Sequence, residues 1–187
     1  MSLFLFMKSE KINNVAYIDG ANLHNGVISQ GWKLDYKRFR VWLLDKYDIV
    51  HAYIFIGRIF KYKDLYQSLS AAGFVLVFKE VVYDNRGKPK GNCDADLVLR
   101  VMRDYHENVY EKAVIVSSDG DYASLIMFLL EKSKLFTIVS PSTQSRCSIL
   151  LKRTGAKITY INDQRSNLEV LNEKAPGRDE TLQGSFS

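Results

Sequence analysis

The chain has two cysteines, Cys93 and Cys147, too few for a disulfide framework and in keeping with a reducing cytosol. Its three histidines, His24, His51 and His106, are scattered without ligand spacing, which argues against a zinc site. No run approaches the ~18 apolar residues that a membrane helix needs. The opening MSLFLFMK is greasy but has neither a basic leader region nor a cleavage site, so it makes a poor signal peptide. No internal repeat, RNA-recognition motif or zinc knuckle appears. These absences predict a cytoplasmic protein with no membrane partner, and leave homo-oligomerisation open.

What is present suits one globular domain: 187 residues, 47% hydrophobic and 25% charged. The formal charge is +5. A basic body favours a polyanionic partner such as nucleic acid, though a charge of this size does so only weakly.

Apolar runs alternate with helical patterns along the chain. Strands are expected at Val15–Ile18, Ile49–Ile56, Phe74–Phe78, Ala113–Val116, Leu135–Val139 and Ile158–Ile161. Between them, helices are expected at Asn22–Val27, Asp35–Leu44 (with Phe39, Leu43 and Leu44 inward), Tyr62–Ala72, Asp94–His106, Tyr122–Lys132 and Ser145–Arg153. The stretch YDNRGKPKGNCD reads as a loop without periodicity. Strands that alternate with helices and are apolar throughout predict an α/β fold with a mainly parallel sheet covered on both faces. The domain is expected over residues 15–171, with residues 1–14 an extension and 172–187 a mobile tail poor in large apolar residues.

In such sheets ligands bind beyond the carboxyl ends of the strands, where the winding reverses. Asp19 ends the first strand, and Asp119 and Asp121 follow the strand Ala113–Val116, so all three belong to that edge. Asp-Gly is also ordinary turn chemistry, and Asp121 could cap the helix beginning at Tyr122. The helix from Asp94 bears on the choice. Leu97, Val98, Val101 and Tyr105 mark its buried stripe, and Asp94 falls on that face at the helix start. Asp96 lies roughly 200° around the axis, facing outward as a solvated partner for Arg100. An inward carboxylate is costly to bury, and coordination of a cation is a standard remedy. Asp19, Asp94, Asp119 and Asp121 thus form a candidate oxygen-ligand set, which without His or Cys favours Mg²⁺ or Mn²⁺.

Three stretches, YIDGANL (Tyr17–Leu23), KGNCDADLVL (Lys90–Leu99) and VSSDGDYASL (Val116–Leu125), resemble the motifs of the NYN domain, the LabA-like branch of the PIN-like nuclease superfamily. The resemblance spans about Val15 to Leu168. It implies a Rossmann-like, PIN-like three-layer sandwich with a Mg²⁺- or Mn²⁺-dependent ribonuclease site, expected to act as an endoribonuclease. Asp19 and Asn22 match the family's D-x-x-N, Asp94 its K-G-x-x-D aspartate, and Ser117, Asp119 and Asp121 its S-x-D-x-D. Asn22 and Ser117 would orient ligands or water, with helix capping and turn bonding as their plainer roles. Ser118 stands where the family often has glycine, and Tyr122 where it often has phenylalanine. His24 reads as a surface histidine rather than a general base.

Arg86, Lys88 and Lys90 lie in the glycine-rich loop that leads into Asp94, while Arg58 and Lys61 follow the second strand. These five cations are the candidate contacts for an RNA backbone, with Tyr62 and Tyr83 among them able to stack on unpaired bases of single-stranded RNA. The leading expectation is a metal-dependent ribonuclease. The rival is an RNA-binding or regulatory module that retains the acidic site but turns over little. A phosphatase of the haloacid dehalogenase type needs D-x-D after the first strand, where this chain has Asp19-Gly20-Ala21, and is set aside.

Overall fold

The structure is a computed structural model describing residues 13–58, 62–80, 82–83, 89–90 and 93–171, with backbone only at 82–83 and 89–90. The expected tail, the extension up to residue 12, and the cations Lys61, Arg86 and Lys88 lie outside the described residues.

Eight strands and seven α-helices are described: β1 (Asn14–Asp19), α1 (Gly20–Ile28), α2 (Tyr36–Tyr47), β2 (Ile49–Gly57), α3 (Lys63–Ala71), β3 (Val75–Lys79), β4 (Val82–Tyr83), β5 (Pro89–Lys90), α4 (Asp94–His106), β6 (Ala113–Val116), α5 (Ala123–Glu131), β7 (Leu135–Ser140), α6 (Ile149–Arg153), β8 (Ile158–Tyr160) and α7 (Arg165–Leu168). Six of the strands form one parallel sheet in the order β3-β2-β1-β6-β7-β8. The chain winds outward from β1 to β3, then crosses back beside β1 and winds the other way. The reversal therefore lies between β1 and β6.

The pleat divides β1 between two cores. Ala16 and Ile18 pack with Leu23 and Val27 of α1 and with Phe39 and Leu43 of α2. Val15 and Tyr17 pack on the opposite face with Leu97 and Val101 of α4 and with Ile126 and Leu129 of α5. Alternation with period two is thus what gives the sheet a helical layer on each side. Each large apolar side chain removed from water in these layers contributes about 1.5–3 kcal/mol before entropy is charged against it.

Three sequence expectations are corrected. Leu44 does not face inward: it is exposed, and the buried stripe of α2 is Phe39, Leu43 and Tyr47 because the helix continues to Tyr47. In α4 Leu97 and Val101 are buried and Val98 and Tyr105 pack partly buried against the same core, as expected, and Asp104 is buried with them. Asp104 is tolerated there because Arg100 Nε donates to both of its carboxylate oxygens, at 2.8 and 2.9 Å, and the Tyr17 hydroxyl donates to one at 2.7 Å. Arg100 is therefore not the partner of Asp96, which instead pairs with Lys79 at 2.8 Å. Finally, the stretch read as a loop contains a short antiparallel ladder, with Val82 opposite Lys90 and Tyr83 opposite Pro89.

Candidate metal centre

The register fixes where the acidic groups meet. Ile18 lies beside Val116 and Asp19 beside Phe55, so Asp19 is one step beyond the last β1–β6 pair. By alternation its side chain falls on the side of Val15 and Tyr17, the side that α4 covers. Tight packing requires the glycine that follows. A Cβ on Gly20 would lie 2.8 Å from the Phe55 carbonyl oxygen, a backbone atom that cannot swing aside. Gly20 lets α1 start directly at the sheet edge, where the Asn22 amide donates to Asp19 Oδ1 at 2.9 Å.

After β6 the chain makes a short 3₁₀ turn at Gly120–Tyr122, which Asp119 caps by accepting from the Asp121 amide at 3.1 Å. Gly120 between the two aspartates is again a matter of close approach, since a Cβ there would collide with Ser148 Oγ and press on Leu150. The turn places Asp119 and Asp121 opposite the start of α4. One carboxylate oxygen from each of Asp94, Asp119 and Asp121 lies within 4.8 Å of the other two.

Asp19 stands beside this trio and is joined to it by Tyr122. The buried Tyr122 hydroxyl lies 2.6 Å from Asp94 Oδ1 and 3.3 Å from Asp19 Oδ2. Burial and the neighbouring carboxylates raise the phenol far above its ordinary value, so it remains a proton donor. Burial raises the Asp19 carboxyl too, with the charges of Asp94 and Asp119 adding to it, against the opposing hydrogen bonds from the Asn22 amide and Tyr122. The Cys93 thiol next to Asp94 is pushed up to about 11 by burial and by Asp19, which makes it a poor thiolate ligand at neutral pH.

Asp19, Asn22, Cys93, Asp94, Ser118 and Asp119 line an open cavity of about 520 Å³. Asn22 ties its two walls together: its Oδ1 accepts from the Ser118 amide at 2.9 Å and the Ser118 hydroxyl at 2.8 Å. Ser118, at a position where glycine would offer no hydroxyl, also shares a hydrogen bond with Ser142 at 2.9 Å. Ser117 is fully buried behind the cavity, and its hydroxyl accepts from the Asp119 amide at 3.1 Å. Asp121 is exposed. Arg58 follows Gly57 on the surface, its guanidinium 5.8 Å from the Phe78 ring. Lys90 lies in β5.

The sequence pointed to the four aspartates and Asn22 but not to Tyr122 and Ser118, whose hydroxyls bond to Asp94 and to Asn22. The signal for Tyr122 was its departure from the phenylalanine usual in the resembling family. A hydroxyl added on the inward side of a carboxylate cluster must find a carboxylate.

A six-stranded parallel sheet with an acidic cavity at its reversal point defines the class as a Rossmann-like α/β domain. The chain belongs to the NYN domain family, whose model matches residues 14–160. It is 25% identical over 170 residues to the low amplitude and bright protein LabA of Synechococcus elongatus, a match covering 86% of this chain and 89% of that one. In fold it is similar to a crystal structure of a protein of unknown function from Vibrio parahaemolyticus. The TM-score is 0.70 and the identity 18%, over 88% of this chain and all of the other. No helix among the described residues is long and apolar enough to cross a membrane.

Proposed function

We propose that the protein is a metal-dependent endoribonuclease, hydrolysing phosphodiester bonds of single-stranded RNA in the acidic cavity with Mg²⁺ or Mn²⁺. Membership in the NYN domain family supports RNA as the substrate class. The observation that carries the reading is the convergence of Asp94, Asp119 and Asp121 within 4.8 Å, with Asp19 beside them. Three carboxylates this close repel one another in the absence of a cation, and a hard divalent ion fits an all-oxygen donor set. Asp94, Asp119 and Asp121 would hold the ion, with Asp19 a further ligand or the anchor of a second. When bound, the ion supplies Lewis-acid activation and neutralises charge growing on the phosphate.

The chain's own groups do the rest. Asn22 and Ser118 fix the spacing between the β1 and β6 ends, so the carboxylates need not reorganise as substrate arrives. Tyr122 donates to Asp94 at every working pH, which sets the orientation of that carboxylate. Arg58, together with Lys61, Arg86, Lys88 and Lys90, would attract the RNA backbone to an otherwise acidic mouth. Ser117 supports the turn that presents Asp119.

A second reading has one observation in its favour. The Tyr122 hydroxyl donates to Asp94 Oδ1, which can hold that oxygen away from a cation and leave an RNA-binding module of low turnover. Incubating the protein with end-labelled single-stranded RNA in Mn²⁺ or in EDTA separates the two. The enzyme reading requires cleavage in Mn²⁺ that EDTA and Asp94→Asn both abolish. Binding without cleavage in Mn²⁺ would overturn it in favour of the module.

A further inference from the structure

A second cavity, of about 560 Å³, opens beside the acidic one. The two share Ala21, Asn25, Ile56 and Gly57, so the partition between them is one turn of α1 and the end of β2. Their characters differ. The second is walled by Tyr36, Tyr62, Leu65 and Tyr66, with His24 and Asn25 supplying polar groups on the α1 side. Gly57 at the partition carries no side chain to separate what enters the two spaces.

The aromatic wall is held in place before any ligand arrives. The Tyr66 hydroxyl donates to the Gly57 carbonyl at 2.9 Å, and its ring stands edge-on to Phe78 with centroids 4.9 Å apart. Tyr36 stands edge-on to Phe74 at 6.5 Å. Tyr62 is exposed at the N-terminal end of α3. A slot with fixed rings on one side and an accessible ring at its mouth suits a flat, partly polar group. It lies next to the cavity lined by Asp19, Asp94 and Asp119.

We propose that this cavity holds an unpaired nucleobase of the strand whose phosphodiester occupies the acidic cavity. This rests on the reading of the acidic cavity as a site for RNA. Base–aromatic stacking tolerates any base, because every base has a π-face, while His24 and Asn25 can reach the base edge. A duplex cannot use the slot without unpairing, so the pocket is also what makes the protein select single strands.

The test walks a single abasic nucleotide along an end-labelled oligoadenylate and measures binding to wild type and Tyr62→Ala, with Ca²⁺ replacing Mn²⁺ to suppress cleavage. Melting curves confirm that both proteins are folded. One abasic position, adjacent to the mapped cleavage site, should weaken wild-type binding by about 5- to 150-fold, the range that corresponds to stacking one base. In Tyr62→Ala that position should no longer matter more than its neighbours. If wild type cleaves RNA but no abasic position stands out, the cavity has another occupant, such as an apolar side chain of a protein partner. That result overturns this inference and leaves the nuclease reading intact. An abasic penalty that survives unchanged in Tyr62→Ala overturns it equally. If wild type neither binds nor cleaves the oligoadenylate or a mixed-sequence RNA, the nuclease reading fails and takes this inference with it.

Discussion

Tyr122→Phe isolates one hydroxyl at the centre of the acidic cluster. The ring remains packed in the core formed by α4, α5 and the sheet, so no cavity opens. At 2.6 Å the bond to Asp94 lies in the short range of charge-assisted O–H···O⁻ contacts, whereas 3.3 Å to Asp19 is too long to count for much. The loss should therefore be that of a single hydrogen bond to a charged group, about 1.5–3 kcal/mol. For a protein of this size each kcal/mol moves the melting temperature roughly 2–4 °C, so the metal-free variant should melt roughly 3–12 °C lower. Losing the group that orients Asp94 should also weaken Mn²⁺ binding about 10- to 100-fold. Calorimetric titration with Mn²⁺ and thermal melts in EDTA measure the two effects separately. Mn²⁺ binding that is unchanged or tighter in Tyr122→Phe would refute the orienting role. It would mean that the hydroxyl competes with the cation, and a gain in cleavage would then favour the low-turnover reading of the wild type.

Other substitutions probe single contacts. Asp94→Asn should abolish Mn²⁺-dependent cleavage in the labelled-RNA assay. Asp96→Asn should leave cleavage nearly intact, because Asp96 only pairs with Lys79 at the surface, where such pairs contribute about 0–1 kcal/mol. Gly20→Ala should cost about 1–3 kcal/mol in urea melts, since its Cβ meets the backbone of Phe55. Asp19→Asn should stabilise the metal-free protein at neutral pH. The raised carboxyl means that the native state holds its proton to higher pH than the unfolded chain, so ionised Asp19 destabilises the fold above that raised value. The gain should vanish as pH falls toward the ordinary aspartate value of about 3.9; a gain that persists there would refute the linkage.

Much of the fold was legible because each strand is a contiguous apolar run and each long helix has its own period. The reversal between β1 and β6 then places Asp19 and Asp119 together without any knowledge of side-chain contacts. What the sequence hid were choices among near-equivalent partners. Asp96 and Asp104 both lie four residues from Arg100, one before it and one after, so spacing alone cannot choose between them. Tertiary burial decides: Asp104 faces Tyr17 inside the core and needs a cation, whereas Asp96 faces the end of β3, where Lys79 waits. Leu44 was misplaced for a similar reason. Adjacent leucines offer two phases of the helix, and only the continuation to Tyr47 settles which one faces the sheet.

The sequence offered a helix cap at Asp121 as an alternative to ligation, but the capping aspartates are Asp19 and Asp119, and capping does not exclude ligation by either. Asp19 caps α1 through Oδ1 while its Oδ2 faces Tyr122. Asp119 caps its turn through Oδ1 and still offers an oxygen to the cluster with Asp94 and Asp121. A lower melting temperature in a variant is thus no evidence against a metal role, and the replacement must be chosen to separate the two. Asparagine caps about as well as aspartate, whereas alanine loses about 1 kcal/mol of capping. Asp119→Asn should therefore keep the metal-free stability of wild type, or exceed it by relieving repulsion, whereas Asp119→Ala should melt lower. With Mn²⁺ at a hundred times its dissociation constant, wild type should gain about 2.7 kcal/mol, roughly 5–11 °C in melting temperature. Both variants should lose most of that gain at the same Mn²⁺ concentration. If Asp119→Asn keeps the full shift, Asp119 is a cap alone, and the ion, if one binds, is held by Asp94, Asp121 and Asp19 without it.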